Sequence, residues 1–458
     1  MTEARAYEGK TALVVRAARS GVAAAGFLLS RGARVVLTDR QERERLAARL
    51  EPLLGRAESA ELVLELGGHR IESFRRCDFV VLSPGVPARL PELEASRSAG
   101  IPILAEVELA YRHLKGKVLG ITGSNGKTTT TTLVGEMLRG GGLRGFMAGN
   151  IGIPLINYAA ASTDSDVYAT ELSSFQLETI DRFRPAVAAL LNLTPDHMDR
   201  YSSFDDYSAA KRRVFMNQRG SDFAVLNADD PRTAALAGQV AATAVLFSRR
   251  GPLERGAFVR AGELVYRGPD GERPLCRRED IRLKGEHNVE NVLAAAAIAL
   301  LGGVDPASLR ETVREFRGVE HRLEWVADID GVSYFNDSKA TNVDAAVKSL
   351  EAFPGGVHLI LGGRDKGGDF TALGPLAAER VRRAVLIGEA AGKIAQALSG
   401  AVETVRAATL PEAVALCRKH AVAGEVVLLA PAAASFDMFQ DYEHRGRVFK
   451  QAVADLRG

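Results

Sequence analysis

Residues Gly120-Ile121-Thr122-Gly123-Ser124-Asn125-Gly126-Lys127-Thr128 constrain the fold more than any other stretch. An apolar run, 118–121, leads into the glycines, and a helical pattern, 127–139, begins at their end. A strand passing to a helix through so tight a turn is a building block of parallel α/β sheets. Glycines there let backbone N–H groups turn inward around phosphate oxygens, and the helix start adds the positive end of its dipole. Lys127 offers a point charge for the β- and γ-phosphates, and the Thr128 hydroxyl a ligand for Mg²⁺. The spelling departs from G-x-x-x-x-G-K-[ST]: Ile121 stands where the first glycine belongs, and Gly120 comes one residue early. The bland alternative is a glycine-rich turn that binds nothing. Strand, Gly-Lys-Thr and helix in sequence favour a nucleotide.

The same alternation runs along the whole chain. In the first third, strands are expected at 11–15, 34–37, 61–66 and 79–82, with a helix at 21–30. The fourth run ends in Ser83-Pro84-Gly85-Val86-Pro87, a rigid loop. The middle third has strands expected at 118–121, 167–172, 187–193 and 223–227, and an antiparallel excursion over 257–267 turning at Gly268–Gly271. An Ala-rich helix after Asn288 closes that third near Gly318. The last third has strands expected at 332–335, 357–361, 384–387 and 426–429, and helices at 343–352, 391–398 and 411–420. With 458 residues, about three domains are expected.

A net charge of +2 with scattered arginines argues against nucleic-acid or membrane-surface binding. The three cysteines, Cys77, Cys276 and Cys417, lack metal-ligand spacing and fit a reducing cytoplasm. No signal core is expected in the polar start, MTEARAYEGK, and the most apolar segment, 289–301, is too short for a membrane span.

Further motifs follow in order: Gly149-Asn150-Ile151-Gly152, Glu171-Leu172-Ser173-Ser174-Phe175-Gln176, Asn192-Leu193-Thr194-Pro195-Asp196-His197, Lys211, and Gly285-Glu286-His287-Asn288-Val289-Glu290-Asn291. The last third adds His321-Arg322, Asn336-Asp337-Ser338-Lys339-Ala340-Thr341-Asn342, Gly362-Gly363-Arg364-Asp365-Lys366 and Ser435-Phe436-Asp437. This ordered set, spread over nearly the whole chain, resembles the Mur ligase family, whose phosphate loop carries its glycine in the same shifted place. The Asn-Asp-Ser-Lys-Ala-Thr-Asn block resembles the branch that adds D-glutamate to UDP-N-acetylmuramoyl-L-alanine.

The resemblance implies three α/β domains. These are a Rossmann-like UDP-substrate domain over 1–105, a central P-loop ATPase-like domain with a mostly parallel sheet over 106–318, and a Rossmann-like amino-acid domain over 319–458. It implies an ATP-dependent amide-bond-forming ligase of peptidoglycan precursor synthesis, working through an acyl phosphate. ATP contacts fall on Gly123, Ser124, Asn125, Gly126, Lys127, Thr128, Thr129, Asn288, Asn291, Arg322 and Asp337. Lys127, Glu171, His197 and Lys211 take the catalytic roles. Thr128, Glu171, His197 and a carbamylated Lys211 hold Mg²⁺, two ions being implied, with Mn²⁺ as a substitute. The UDP substrate falls to Thr38, Asp39, Arg40, Ser83, Pro84, Gly85, Asn150 and His197, and D-glutamate to Lys339, Thr341, Lys366 and Ser435, with Phe436 packing nearby. Expected partners are these small molecules alone, without nucleic acid or membrane insertion, bound to a cytoplasmic monomer.

Taken singly, most of these residues have plainer readings. His197 alone would be a core histidine, Lys211 a solvated cation, and Asn288 a helix cap. The first strand–helix turn also departs from the family. Arg16, Ala17, Ala18 and Arg19 stand where glycines are usual, and only Gly21 remains. Arg16 or Arg19 is the expected electrostatic compensation. Alternatives are a folylpolyglutamate-type ligase, a nucleotide-binding homologue without catalysis, and, on the first βαβ unit alone, a dinucleotide oxidoreductase.

Overall fold

A computed structural model describes residues 6–54, 61–87, 89–283 and 285–457; residues 1–5, half of the polar start, lie outside it. The strands form three sheets. The first contains β1 (Thr11–Val15), β2 (Arg34–Asp39), β3 (Leu62–Leu66), β4 (Phe79–Leu82) and β5 (Ile103–Ala105). All pair in parallel, in the order β3-β2-β1-β4-β5. Helices cover both faces of such a sheet, so its central strands read as unbroken apolar runs, as in Phe-Val-Val-Leu of β4.

The second sheet holds β6 (Lys117–Thr122), β7 (Arg144–Gly149), β8 (Asp166–Glu171), β9 (Val187–Leu190), β10 (Phe223–Asn227), β11 (Thr243–Ser248), β12 (Gly256–Arg260), β13 (Glu263–Gly268) and β14 (Gly271–Arg277). Its order is β14-β13-β12-β11-β10-β9-β6-β8-β7, parallel except for the β12–β13–β14 meander. The Gly268–Gly271 turn falls where expected. β7 and β11 were not legible in the sequence, β7 because Gly145 and Gly149 dilute its apolar pattern. β9 ends at Leu190, short of the expected 193, because Asn192 leaves the sheet to bond the phosphate loop. The Ala-rich helix Glu286–Gly302 packs in one core with helix Lys127–Gly140, through Val292, Leu293 and Ala296 against Leu133, Val134 and Met137. Leu293 is fully buried, so truncation to alanine there should cost about 2–5 kcal/mol.

The third sheet comprises β15 (Glu324–Ile329), β16 (Val332–Asn336), β17 (Val357–Gly362), β18 (Val381–Ile387), β19 (Thr404–Arg406) and β20 (Val426–Leu429). The order is β15-β16-β20-β17-β18-β19, with β15 alone antiparallel to its neighbour. β15 is an acidic edge strand, which hides it from apolar pattern reading.

Two carboxylates stitch the first sheet to the second. On helix Glu106–Tyr111, Glu106 Oε1 accepts the Ile156 N–H (2.8 Å). Glu108 Oε2 accepts the N–H groups of Asp181, Arg182 and Phe183 (2.9, 3.0 and 2.8 Å). Among the described residues no helix is long and apolar enough to cross a membrane.

Candidate active site

The phosphate loop links β6 to helix Lys127–Gly140. Gly126 precedes the helix at φ +84°, and a Cβ there would lie 2.3 Å from Asn291 Oδ1, so both backbone and space demand glycine. Lys127 Nζ folds back and donates to Gly123 O and Ser124 O, each at 2.8 Å. Lys211 Nζ donates to the same Gly123 O (2.8 Å) from helix Phe204–Arg212, lying 4.7 Å from the centre of the Tyr207 ring. Lys211 is 2% exposed, so it is no solvated cation. Burial, and then the neighbouring Lys127 charge, hold its pKa well below the usual lysine value. Burial likewise lowers Lys127.

Glu171, the last residue of β8, is buried at the loop's edge. It accepts Thr128 Oγ1–H on Oε2 (2.7 Å) and Asn150 Nδ2–H on Oε1 (2.9 Å). Arg322 Nη2 donates to Thr128 Oγ1 (2.9 Å). His197 adopts a left-handed φ of +57° and donates its main-chain N–H to Asp196 Oδ1 (2.9 Å). Burial brings its imidazole down to about 4, although Asp196 opposes the shift, so the ring is neutral at pH 7. For Asp196, burial pushes the carboxyl up, but Lys366, His197 and Lys127 outweigh it and bring it to about 2.

These groups face a cavity of about 640 Å³ between the second and third sheets' units. Its walls include Ser124 to Thr129, Asn150, Glu171, His197, Lys211, Asn288 and Asn291, and from the far side Arg322, Asp337, Lys339, Thr341 and Lys366. Gly123 stands just behind, its carbonyl shared by the two lysines. Asn291 Nδ2 donates to Asn288 Oδ1 (3.0 Å), leaving the pair at the start of the Ala-rich helix. Asp337 accepts from Ser349 Oγ, and burial raises its carboxyl. Lys339 Nζ lies 3.6 Å from the centre of the Tyr442 ring, and burial brings the amine down to about 7.

The expected amino-acid set is only partly assembled. Lys339, Thr341 and Lys366 line the cavity, whereas Ser435 and Phe436 do not. Ser435 is buried beside the bridge between Arg364 and Ala434, and Phe436 is 66% exposed. The loops after β16, β17 and β20 are gathered by Arg445, which is fully buried. Its guanidinium donates to Ser338 O (2.8 Å), Gly362 O (3.4 Å) and Ala433 O (3.2 Å).

The N-terminal set clusters apart from this cavity, at the carboxyl ends of β1, β2 and β4. There the strand order reverses, the usual ligand position in an open α/β sheet. Thr38 is buried, with Oγ1 2.9 Å from His69 Nδ1. Asp39 is already engaged: Oδ2 accepts Ala17 N–H (2.8 Å) and Oδ1 accepts Gln41 N–H (2.9 Å). Arg40 is exposed. Arg16 takes φ +79°, a glycine-like conformation, and donates through Nη1 to Pro84 O (3.0 Å). Its side chain thus occupies the space beside Gly85, where a Cβ would lie 2.3 Å from Nη1. Gly21 is the glycine that the turn cannot lose, since a Cβ there would lie 2.1 Å from Arg16 O. Ser83 and Pro84 share a small pocket with Phe175, Gln176 and Thr179, and Phe175 also lines the main cavity.

Sequence reasoning assigned no role to Tyr442, Asp344 or Asp196. Asp196 sat inside a quoted motif, but the other two carried no local signal.

Fold and cavity together define a three-unit P-loop α/β protein with an acid- and lysine-lined phosphate site. Residues 10–105 match the MurD-like N-terminal domain of Mur ligases, 121–299 the Mur ligase middle domain, and 321–433 the Mur ligase glutamate ligase domain. The chain belongs to the Mur ligase family. It is 49% identical over 448 residues to a UDP-N-acetylmuramoylalanine–D-glutamate ligase of Koribacter versatilis, covering 98% of each chain. It is 50% identical over 453 residues to the protein of that name from Acidobacterium capsulatum, covering 98% of this chain and 97% of the other. In fold it is similar to UDP-N-acetylmuramate-alanine ligase MurC from Thermotoga maritima, with TM-score 0.60, 20% identity and coverage of 98% and 99%.

Proposed function

We propose that this chain joins D-glutamate to UDP-N-acetylmuramoyl-L-alanine, with ATP converted to ADP and phosphate. The observation that carries the reading is the convergence, in one cavity, of a phosphate loop, a buried carboxylate and lysines from two different units. Relatives carrying the corresponding name along almost their full length support it.

A carboxylate does not acylate an amine near neutral pH, because oxide is a poor leaving group. Transfer of the γ-phosphoryl group to the carboxylate oxygen gives an acyl phosphate and ADP. The neutral amine of D-glutamate then attacks the acyl carbon. The amide forms, the C–O bond to phosphate breaks, and the amine's proton is lost to solvent. All reactants are anions, so the protein's first task is to bring like charges together.

In this reading Lys127 releases Gly123 O and Ser124 O and turns to the β- and γ-phosphates, within the amide cradle of Gly123–Thr129. Asn288 and Asn291 present amide donors and acceptors to adenine. Asp337 meets the ribose and Arg322 the phosphates. Thr128 and Glu171 offer adjacent hard oxygens and His197 a neutral nitrogen, a donor set that fits Mg²⁺. Held by these residues, Mg²⁺ would supply neutralisation of the phosphate charge. Lys211, with its depressed pKa, supplies the neutral amine that can add CO₂ to give a carbamate and a proton, turning a cation into an oxygen donor.

Lys339, Thr341 and Lys366 clamp the carboxylates of D-glutamate. The UDP moiety lies at the β1, β2 and β4 ends, by Thr38, Asp39, Arg40 and Ser83 to Gly85. Asn150 and His197 lie along the path of the muramoyl group. Arg16, whose guanidinium lies by Pro84 and Gly85, is the cation that meets the phosphates there. We divide the units at 1–105, 106–318 and 319–458, and place a monomer in the cytoplasm, where ATP is available.

The test incubates the protein with Mg-ATP, UDP-N-acetylmuramoyl-L-alanine and a panel of D- and L-amino acids, following phosphate and product mass. Phosphate release that requires both substrates and prefers D-glutamate supports the reading. Release without an acceptor, or preference for another amino acid, overturns it.

A further inference from the structure

Among the described residues, Arg322, Asn342, Asp344 and Lys366 of the C-terminal unit make polar contacts with the phosphate-loop region, Asn342 with Asp196. Arg322 bonds Thr128 (2.9 Å), Lys366 bonds Asp196 (3.3 Å), and Asp344 accepts from Asn125 Nδ2 and Thr194 Oγ1, the latter at 3.2 Å. They differ in kind. Arg322 and Lys366 are cations, so an incoming phosphate or carboxylate can replace their protein partners. Asp344 is a carboxyl group, its pKa raised by burial, whose oxygens accept hydrogen bonds, and a triphosphate or a carboxylate brings only further acceptors to the site it lines. An anionic substrate therefore cannot take the place of Asn125 and Thr194 as a partner of Asp344.

The local sequence holds it there. Asn342 caps helix Val343–Glu351 by accepting Ala345 N–H (2.8 Å). This puts Asp344 in the first turn, where the helix dipole favours a carboxylate. Five residues on, Ser349 bonds Asp337, so this one helix spans from the phosphate loop to the proposed ribose site. On the other side Asn125 is held through both backbone and side chain. Its main-chain N–H donates to Asn192 Oδ1 (2.8 Å) and its side chain to Asp344. Asn125 and Asp344 are 219 residues apart in the chain.

We propose that Asp344 is a positioning residue that latches the C-terminal unit onto Asn125 and Thr194, and so sets the spacing at which Lys339 and Lys366 face the phosphate loop. The inference rests on the ligase reading for its kinetic consequence only.

The test compares full-length wild type, Asp344→Ala and Asp344→Asn, with thermal melts to establish folding. Small-angle X-ray scattering of the nucleotide-free chains reads the spacing directly. Asp344→Ala should show a larger radius of gyration and a kcat lower by about tenfold or more, with the ATP KM changed by less than about threefold. Asp344→Asn, whose amide oxygen still accepts from Asn125, should recover part of both. Adding Thr194→Val to Asp344→Ala should lower kcat little further, because the shared contact is already gone. Wild-type scattering and kcat in Asp344→Ala would overturn the latch. So would a tenfold rise in ATP KM at unchanged scattering, which would make Asp344 a nucleotide contact. If wild type itself shows no D-glutamate-dependent turnover, the ligase reading fails while the scattering still decides the latch.

Discussion

Glu106 should make this protein less stable as pH rises, and Glu106→Gln should remove that dependence. The carboxyl is fully buried; one oxygen accepts Ile156 N–H and the other, Oε2, has no hydrogen-bond partner among the described residues. Burial pushes its pKa from the ordinary 4.5 up to about 7, against the opposing Ile156 hydrogen bond. Below about 4.5 the group is protonated both folded and unfolded, and ionisation costs nothing. Between there and about 7 the unfolded chain releases the proton and the native one keeps it, so stability falls as pH rises. Above about 7 the loss levels off at roughly 3 kcal/mol. For a cooperative unit of about 150–250 residues that corresponds to roughly 6–12 °C in Tm. The glutamine keeps the acceptor for Ile156 and has no charge to bury. Any packing defect it introduces acts equally at every pH. Melting curves of both proteins at pH 5 and pH 8 should therefore show the variant gaining on wild type at pH 8. An equal Tm difference at the two pH values would refute the reasoning.

Two further outcomes follow from the site. Lys211→Ala should abolish most turnover, and gently handled wild type should carry the added mass of one CO₂ that the variant lacks; an unmodified wild type at full activity under CO₂-replete conditions would contradict this. Arg445→Met should lose about 3 kcal/mol or more, because three buried carbonyls lose their donor, and should raise the D-glutamate KM, since those carbonyls belong to the loops bearing Lys339 and Lys366. Denaturant melts and steady-state kinetics check it.

What was legible in the sequence was what local chemistry dictates. The phosphate loop could be read because Gly126, Lys127 and the flanking strand and helix lie within a dozen residues, each needing its neighbours. The Gly268–Gly271 turn was readable for the same reason. Lys211 was different: its amine reaches Gly123 across 88 positions, so its burial depends on how a whole helix docks. The motif resemblance pointed to it, but spacing could not. Asp344 had neither motif role nor local signal, because its partners lie in another unit. At the first turn, Arg16 had no pattern to announce its left-handed backbone, and Asp39 looked free until Ala17 N–H was seen to use it. The exposure of Phe436 was not legible because a motif gives an order along the chain, while exposure follows from the path of the loop after β20.

The central claim is that an organic carboxylate is phosphorylated before the amide forms, and one isotope measurement tests it directly. UDP-N-acetylmuramoyl-L-alanine labelled with ¹⁸O in its alanyl carboxylate is turned over with Mg-ATP and D-glutamate, and the released phosphate is analysed by mass. An acyl phosphate leaves with one carboxylate oxygen attached, so each phosphate should carry one ¹⁸O. Unlabelled phosphate accompanying full amide product would contradict the account.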